Sequence, residues 1–423
     1  LIGAGWDERL SPVDVETDPH VQVDVEAANR RALARAVACR PALVAVKPAR
    51  EVVSGMRAEL ILHAAPPARA DRLNPTLEAA LRGAACLEGL PFSRVELASA
   101  QDYGAMAGGA GAITASTPVV VVEDRDSGRR AFHFLMEGFG RTLILGMTGE
   151  DVFERLRWLR DEAAPALDAA LGALGGIDCD EIITEALRRG DELHNRNAAA
   201  TSMLAERLAR GFLRAGVPAE RQERLFEFLR GNSQFFVAVS LAVTKLMLDA
   251  AGGVEGSSIL TAVGANGRDC GLKVSGLGDR WFVAPAEVPT GVLSDGFGEA
   301  DAAPACGDSL LVECAGLGAS VLPAAPALWP LLGVGRDRAV RIHGDTATIA
   351  AGEHPRYRVP VLGERGAPVG IDVLKVVRTG IRPVIDIVML HREAGRGMIG
   401  FGLVSPPMAC FEQAAAAFGE RYG

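Results

Sequence analysis

The chain has 423 residues, which is enough for two or three domains of ordinary size with a substantial core. Hydrophobic residues make up 49% and charged residues 23%, and this composition excludes disorder over most of the chain. The net charge is −9, which argues against a nucleic-acid-binding protein because such proteins need a basic surface for the phosphate backbone.

The first part of the sequence, residues 1–148, predicts an α/β domain. Segments of helical composition alternate with short apolar runs that end at prolines, glycines or polar turns. The predicted helices are 27–38 and 77–87, and the predicted strands are 42–46, 60–63, 96–98, 119–122 and 131–135. The last two strands flank a turn at 124–128, so they predict a β-hairpin.

Residues 149–253 predict a helical domain. An apolar stripe at helical spacing is formed by Val152, Leu156, Leu159, Ala163, Leu167 and Leu171. The apolar run 235–251 is interrupted by Lys245 and Asp249, so it predicts a buried helix and not a membrane span. We expect no membrane association and no secretory signal.

Residues 254–423 predict a Gly-rich α/β domain. The predicted strands are 259–263, 272–275, 281–284 and 385–390, and the predicted helices are 309–321, 326–332 and 408–418. The chain is therefore expected to be a multi-domain α/β protein, with a helical middle segment and three parts packed around a shared cleft.

The cysteine pattern bears on metal and redox chemistry. Seven cysteines are scattered without a Cys-x-x-Cys pair, which predicts neither a zinc ribbon nor a disulfide scaffold and fits a reducing cytoplasm. The sequence has no His-Glu-x-x-His motif, no EF-hand loop and no Gly-x-Ser-x-Gly elbow. We expect no resident metal or cofactor, and a serine hydrolase is disfavoured.

The sharpest polar cluster spans residues 190–201, GDELHNRNAAAT. If Gly190 ends a helix, Asn197 can cap the next one, and Arg196 beside free backbone amides would attract an anion. If the helix continues, a polar stripe forms from Gly190, His194, Asn197 and Thr201, and a buried stripe must be hydrogen-bonded. We favour a ligand site over a structural helix junction. Its candidate residues are His194, Asn195, Arg196 and Asn197.

A second cluster spans residues 264–273, GANGRDCGLK. Asn266-Gly267 is typical of a hairpin turn. Arg268 and Lys273 beside glycine amides could instead hold a phosphate or a carboxylate. Both interpretations stay open.

Two further clusters lie near the C-terminus. Asp308 or Ser309 fits a helix N-cap, and Glu313 is an acid among apolar neighbours, which favours a paired or functional role. His391-Arg392-Glu393 follows a predicted strand, where ligand groups often lie, although a solvated charged turn is the alternative.

Several of these segments resemble the YlbE-like (AllG-like) family, whose best-assigned members are subunits of bacterial oxamate carbamoyltransferase. The resemblance covers most of the chain, and its most specific stretches are 190–199, 273–282, 307–309 and 391–395 with Gly400. It implies a role in anaerobic allantoin breakdown, in which oxalurate and phosphate are exchanged for oxamate and carbamoyl phosphate. It also implies a multi-subunit enzyme with a companion that resembles an acyl-CoA synthetase.

The sequence departs from the family pattern at residues 101–106, QDYGAM, where a His-rich segment followed by Gly-Pro-Met is usual. A paralogue that acts on another carbamoyl or acyl amide is therefore the alternative substrate prediction.

Carbamoyl transfer to phosphate needs cations for the two anions, donors for the oxyanion and an acid for the leaving nitrogen. The candidate anion-binding side chains are Arg196, Arg268 and Arg392, and the candidate donors are Asn197 and Asn266. The acid would be His194 or His391. Glu313 or Glu393 would orient it. The remaining candidate binding residues are Asn195, Lys273 and Asp308.

Two other functions stay open. A non-catalytic subunit would use the same polar clusters to bind a small anion or a partner, and an amidase acting alone would need a nucleophile motif that the sequence does not show. The expected partners are a small anionic substrate, phosphate, an acyl-CoA-synthetase-like subunit and a second copy of the chain.

Overall fold

The N-terminal part of the chain is α/β. The computed structural model describes residues 23–423, so residues 1–22 of the predicted first domain lie outside it. The helices of this part are α1 (Val25–Ala38), α2 (Ala49–Val52) and α3 (Pro75–Leu87). Its strands are β1 (Pro41–Pro48), β2 (Leu60–His63), β3 (Glu96–Ser99), β4 (Ala105–Met106), β5 (Ala112–Ile113), β6 (Pro118–Asp124) and β7 (Arg130–Phe134).

The middle segment is helical with one short strand. The helices are α4 (Glu150–Trp158), α5 (Ala164–Leu174), α6 (Cys179–Arg188), α7 (Ala198–Ala215), α8 (Ala219–Gly231) and α9 (Val237–Ala250). The strand is β8 (Ile177–Asp178). A π-helical turn at Leu159–Ala163 connects α4 to α5, so the predicted apolar stripe runs over one continuous helical segment.

The C-terminal part returns to mixed structure. Its strands are β9 (Leu260–Asn266), β10 (Asp269–Val274), β11 (Phe282–Pro285), β12 (Thr290–Leu293), β13 (Cys306–Gly307), β14 (Ala350–Val359), β15 (Arg365–Ile371), β16 (Ile385–Leu390) and β17 (Met398–Val404). Its α-helices are α10 (Arg336–Ile349), α11 (Val373–Thr379) and α12 (Met408–Tyr422).

The strands of residues 23–423 form five sheets. The N-terminal sheets have the orders β4-β7-β6-β1-β8 and β3-β2-β5, and the C-terminal sheets have the orders β11-β10-β9-β13, β12-β17-β16 and β14-β15. The antiparallel pairing of β6 with β7 confirms the predicted hairpin. Because β8 pairs with β1, the middle segment contributes an edge strand to the first sheet. The predicted domain limits at 148 and 253 stay predictions.

Helix α9 lies at the centre of the molecule. All of its residues from 237 to 248 are buried. It packs against β6 and β7 of the N-terminal part and against β9 of the C-terminal part. This confirms the predicted buried helix, and none of the helices in residues 23–423 is long and apolar enough to cross a membrane.

The predicted helix at 309–321 is wrong in type. The structure has two 3₁₀ helices, Asp308–Ala315 and Gly318–Ala324. Gly316 at φ +82° ends the first one in the left-handed region that glycine tolerates, and Leu317 is extended. The predicted helix at 326–332 is likewise reduced to a 3₁₀ turn at Pro326–Leu328.

Candidate functional site

The loop 189–197 joins α6 to α7, so the first of the two arrangements considered for this cluster is the observed one. Gly190 follows α6 at φ +92°, and Asn197 occupies the N-cap position of α7. The side chain of Asn197 makes no capping bond, however, and donates to the His194 carbonyl and to Gln234 Oε1. The cap comes from Asp191, whose Oδ2 accepts from the Ala200 amide at 2.9 Å.

Leu193 holds this loop in a strained turn. It is buried and has φ +71°, a left-handed conformation that costs a non-glycine residue about 1–2 kcal/mol. Surrounding bonds fix the conformation. The Ser240 hydroxyl donates to the Leu193 carbonyl at 2.8 Å, and the Gly318 amide donates to the Glu192 carbonyl at 2.8 Å. The turn directs His194 and Asn195 into the interior.

Four ionisable side chains meet there, and we call Glu192, His194, Glu313 and Asp386 the acid–histidine cluster. His194 Nδ1 lies 3.4 Å from Asp386 Oδ1 and 3.5 Å from Glu313 Oε1. The Glu192 carboxylate accepts from the backbone amides of the loop, including His194 at 2.7 Å. All three acids are fully buried, and His194 is 6% exposed.

The pKa values in the cluster reflect burial and mutual charge. Burial alone would lower the pKa of His194, but Asp386 and Glu313 raise it well above its usual range. Burial raises the pKa of Glu313 to about 7 and, together with the charge of Asp386, raises the pKa of Glu192. Although burial opposes it, the contacts of Asp386 with His194 and Asn195 lower its pKa to about 2. The cluster therefore favours the protonated, positively charged form of His194.

A small cavity of about 60 Å³ lies against this cluster. Its polar wall is formed by His194, Asn195, Gln234 and Ser309, and main chain approaches it at Gly108 and Gly109. Its apolar lining residues include Met136, Phe139, Leu241 and Val388. Since one water needs about 10–15 Å³ of such space, the cavity accommodates a ligand of only a few heavy atoms.

The predicted residues of the loop therefore divide into two groups. His194 and Asn195 line the cavity, and Asn195 Nδ2 also donates to Asp386 Oδ2 at 2.9 Å. Arg196 is directed elsewhere, since its Nε donates to the Gly190 carbonyl and lies 3.4 Å from Asp191 Oδ1.

Asp308 lies next to the cavity residue Ser309 but is a structural acceptor. The predicted N-cap is wrong, because Gly307 occupies that position. The Asp308 carboxylate accepts from the amides of Ala65 and Ala107, each at 2.8 Å, and from Gln101 Nε2 at 2.7 Å. It therefore bonds three N-terminal segments to the C-terminal part.

The second predicted cluster is a hairpin turn between β9 and β10. Asn266 Oδ1 accepts from the amides of Arg268 and Asp269, and Asn266 Nδ2 donates to the Pro66 carbonyl. The Arg268 side chain is exposed.

Lys273 is directed into a different cavity of about 370 Å³, which also contains Gln101 and Asp102 of the segment that departs from the family pattern. Its Nζ lies 2.6 Å from Asp102 Oδ1. None of Asn266, Arg268 and Lys273 lines the small cavity.

His391, Arg392 and Glu393 lie beyond the end of β16 and outside the lining of the small cavity. His391 is buried, with Nδ1 accepting from the Glu393 amide at 2.9 Å. Arg392 and Glu393 are exposed, and Arg392 Nη1 donates to the Ala300 carbonyl. These contacts fix a loop and bring none of the three side chains to the acid–histidine cluster.

Sequence reasoning missed Asp386, Glu192 and Gln234 as site residues. Asp386 could have been predicted from the sequence, because it is an acid inside the apolar strand 385–390. Glu313 was predicted for the same reason, as an acid among apolar neighbours. Within residues 23–423, His194, Glu313 and Asp386 could hold a metal ion, since each has one donor atom within 4.8 Å of the others. They are far apart in the sequence, so no spacing motif could have revealed them.

Comparisons with known proteins identify the family. A family model described as "Oxamate carbamoyltransferase subunit AllG" matches residues 95–309, which include the loop of His194 and the Ser309 wall of the cavity. The oxamate carbamoyltransferase subunit AllG of Escherichia coli (strain K12) is 35% identical over 413 residues, covering 94% of this chain and 99% of AllG. The chain belongs to the AllG family. The resemblance stated from the sequence is confirmed.

Two further relatives extend the comparison. The uncharacterized protein YahG of Escherichia coli (strain K12) is 35% identical over 432 residues, covering 100% of this chain and 92% of YahG. The crystal structure of a conserved protein of unknown function from Enterococcus faecalis V583 superposes with a TM-score of 0.92 at 33% identity, covering 94% of this chain and 98% of that chain. This chain thus shares its fold with that structure along nearly its whole length.

Proposed function

We propose that the chain is a subunit of a carbamoyltransferase that exchanges oxalurate and phosphate with oxamate and carbamoyl phosphate. Membership of the AllG family supports this class of reaction. The observation that carries the proposal is the small cavity of about 60 Å³ whose polar wall contains His194. It suits one small polar group, such as the carbamoyl group of oxalurate.

The proposed reaction needs no external oxidant or reductant. A phosphate oxygen attacks the carbamoyl carbon of oxalurate, a C–O bond forms and the C–N bond to the oxamate nitrogen breaks. The proton of hydrogen phosphate passes to that nitrogen, so oxamate and carbamoyl phosphate leave with all atoms and charges accounted for.

His194 is proposed to stabilise the oxyanion of this reaction. Its Nδ1 faces Glu313 and Asp386, so the Nε2 edge is turned away from them, and His194 is a wall of the cavity. An Nε2–H group there donates to the developing oxygen charge, with Asn195 and Ser309 as further polar contacts. A role of His194 or His391 as the proton carrier stays a prediction.

The negative charge of the substrates requires a cationic group that does not belong to the cavity wall. Neither Lys nor Arg occurs among the residues that line it, although phosphate and oxalurate are both anions. We therefore propose that a companion subunit completes the site. The acyl-CoA-synthetase-like protein expected from the resemblance is the candidate. The alternative, a binding subunit without chemistry of its own, would use the same cavity.

The first test is oxalurate phosphorolysis by the purified chain, alone and with its co-purifying partners, with oxamate and carbamoyl phosphate followed together. Product that forms only with partners supports a shared site. Product from the chain alone would place the whole site here. If neither preparation forms product, the oxalurate proposal fails and the paralogue alternative takes its place.

The second test separates His194 from other buried histidines. We expect H194A to lower turnover by about 100-fold or more, as loss of one oxyanion donor does. His343 is equally buried and bonds to the Ser320 carbonyl away from the cavity, so H343A is the matched control. Equal activity of the two variants, at matched fractions of folded protein, would contradict the role of His194.

A further inference from the structure

We infer that the acid–histidine cluster is a binding site for one divalent transition-metal ion of the Zn²⁺ type. The ligands are His194 Nδ1 and one carboxylate oxygen each from Glu313 and Asp386. The inference rests on four independent features of the cluster, which are its distances, its unpartnered atoms, its charge and its supporting contacts.

The distances fit coordination better than hydrogen bonding. His194 Nδ1 lies 3.4 and 3.5 Å from the two carboxylate oxygens, beyond the usual range of about 2.7–3.2 Å for an N–H···O bond. Ligand atoms placed tetrahedrally at about 2.1 Å from Zn²⁺ lie about 3.4 Å from one another. One imidazole nitrogen and two carboxylate oxygens also form a donor set that Zn²⁺ accepts, with a fourth position left for water or substrate.

Three atoms of the cluster lack a hydrogen-bond partner within the described part of the chain. They are His194 Nδ1, Glu313 Oε2 and Asp386 Oδ1. Buried polar atoms are nearly always satisfied, so unpartnered atoms on three side chains that converge within 4.8 Å need an explanation. A shared cation satisfies His194 Nδ1 and Asp386 Oδ1 directly, and it can bind either oxygen of Glu313, of which Oε1 lies 3.5 Å from Nδ1.

The charge of the region favours a divalent ion. Asp191, Glu192, Glu313 and Asp386 are all fully buried, and the guanidinium of Arg196 forms an ion pair only with Asp191. Apart from His194, no cationic side chain among residues 23–423 forms an ion pair with Glu192, Glu313 or Asp386. A divalent cation bound between Glu313 and Asp386 would offset the charge of both carboxylates at once.

The outer contacts hold the ligands in place. Asn195 donates to Asp386 Oδ2, and the Ala319 amide donates to Glu313 Oε1 at 3.1 Å. Gly318 has φ +61°, and a Cβ there would collide with Glu313 Oε1. Supporting donors of this kind orient ligands in metal sites, and the absence of a side chain at Gly318 leaves them room.

The metal site would give the cavity the positive charge that its lining residues do not supply. His194 belongs to both the cluster and the cavity wall, so an ion on Nδ1 lies directly behind that wall. This consequence for substrate binding rests on the proposed function, whereas the binding of the ion does not.

The experiment measures metal binding without turnover. The full chain is stripped with a chelator and dialysed, and Zn²⁺ is titrated by calorimetry while bound metal is counted by mass spectrometry, with Mn²⁺ and Mg²⁺ in parallel. We expect one Zn²⁺ per chain. E313Q and D386N should weaken binding by more than the roughly 10–100-fold that loss of a supporting residue costs. E137Q changes an equally buried glutamate outside the cluster and should bind as the unmodified chain does.

Replacement of Zn²⁺ by Co²⁺ gives a readout that needs no variant. The visible absorption of tetrahedral Co²⁺ in the unmodified chain supports the assigned donor set, even if E313Q or D386N does not fold. The inference is overturned if the chain binds no Zn²⁺, or if folded E313Q and D386N bind it as tightly as E137Q. If the chain binds the metal but carbamoyl transfer is not found, the metal site is supported and the proposed function is contradicted. If carbamoyl transfer is found but the chain binds no metal, only the metal site is contradicted.

Discussion

Glu137 is a buried acid whose environment makes stability depend on pH. Its carboxylate accepts from the backbone amides of Leu143 and Ile144, yet burial outweighs these bonds and raises its pKa to about 7. In the unfolded chain the group loses its proton near its ordinary pKa of 4.5. Between these values the folded state binds more protons, so its contribution to stability falls as the pH rises and is lost above pH 7.

We expect Glu137→Gln to remove this pH dependence. The Gln oxygen can still accept from the same amides, so the variant loses the ionisation and keeps the bonds. Relative to E137Q, the free energy of unfolding of the unmodified chain should fall by about 3 kcal/mol between pH 4.5 and pH 7.5. Urea denaturation of both proteins across this range measures the difference, and parallel curves would contradict the prediction.

Asp308 is a second acid whose role is structural. Both of its carboxylate oxygens accept from N–H donors. In an asparagine, the NH₂ group would replace one of these oxygens and face an N–H donor without an acceptor between them. We expect Asp308→Asn to destabilise the fold by about 2–3 kcal/mol. Asp279→Asn is the control, since its side chain is fully exposed and should change stability by less than about 0.5 kcal/mol. Equal midpoints of chemical denaturation for the two variants would be inconsistent with this role.

At the scale of elements, α5 and α7 pack closely through a glycine. A Cβ on Gly211 of α7 would lie 2.8 Å from the Ala170 carbonyl oxygen and 2.9 Å from Leu174 Cδ1 of α5. We therefore expect Gly211→Ala to destabilise the protein by about 1–3 kcal/mol, although alanine is the better helix former.

Gly344 of α10 provides the matched control for Gly211. Apart from the adjacent residues and the backbone of its own helix, no heavy atom lies within 4 Å of a Cβ built there, so Gly344→Ala should stabilise the protein by up to about 1 kcal/mol. Thermal unfolding of the two variants should move the midpoint in opposite directions. A shift in the same direction for both would show that helix propensity, and not packing, decides at Gly211.

The elements show how far local sequence patterns reach. The strands at 42–46 and 385–390 and the hairpin at 119–135 were predictable, because β-branched residues bounded by turn residues specify them locally. The segment 309–321 was predicted as an α-helix and is 3₁₀, because glycines and a buried network override its apolar composition. The same glycines place Glu313 opposite His194.

At the scale of the whole molecule, the three predicted domains share their cores. Strand β8 pairs with β1, and α9 packs against sheets of both the N-terminal and C-terminal parts. A buried network joins α1 to the C-terminal part, since Asn29 Nδ2 donates to Ser258 Oγ and to Asp372 Oδ2.

We expect these shared contacts to make residues 23–423 unfold in one cooperative transition. Differential scanning calorimetry should then give equal calorimetric and van't Hoff enthalpies. Separate transitions, or a fragment ending near residue 148 or 253 that keeps a cooperative fold, would instead support independent domains.

The sequence by itself determined the fold class, the family and the loop that carries His194 and Asn195, because local patterns and the contiguous stretch 190–199 record them. The sequence did not show which of His194 and His391 belongs to the site. It also did not show whether Arg196 and Arg268 bind an anion or only belong to a loop and a turn. Only the tertiary structure decided which groups meet, since Glu313 and Asp386 reach His194 from a 3₁₀ helix and a strand more than 100 residues along the chain. The physical reason is that burial, charge interactions and unpartnered atoms arise only when distant segments pack together. A single residue in the sequence indicates only its preference for local secondary structure.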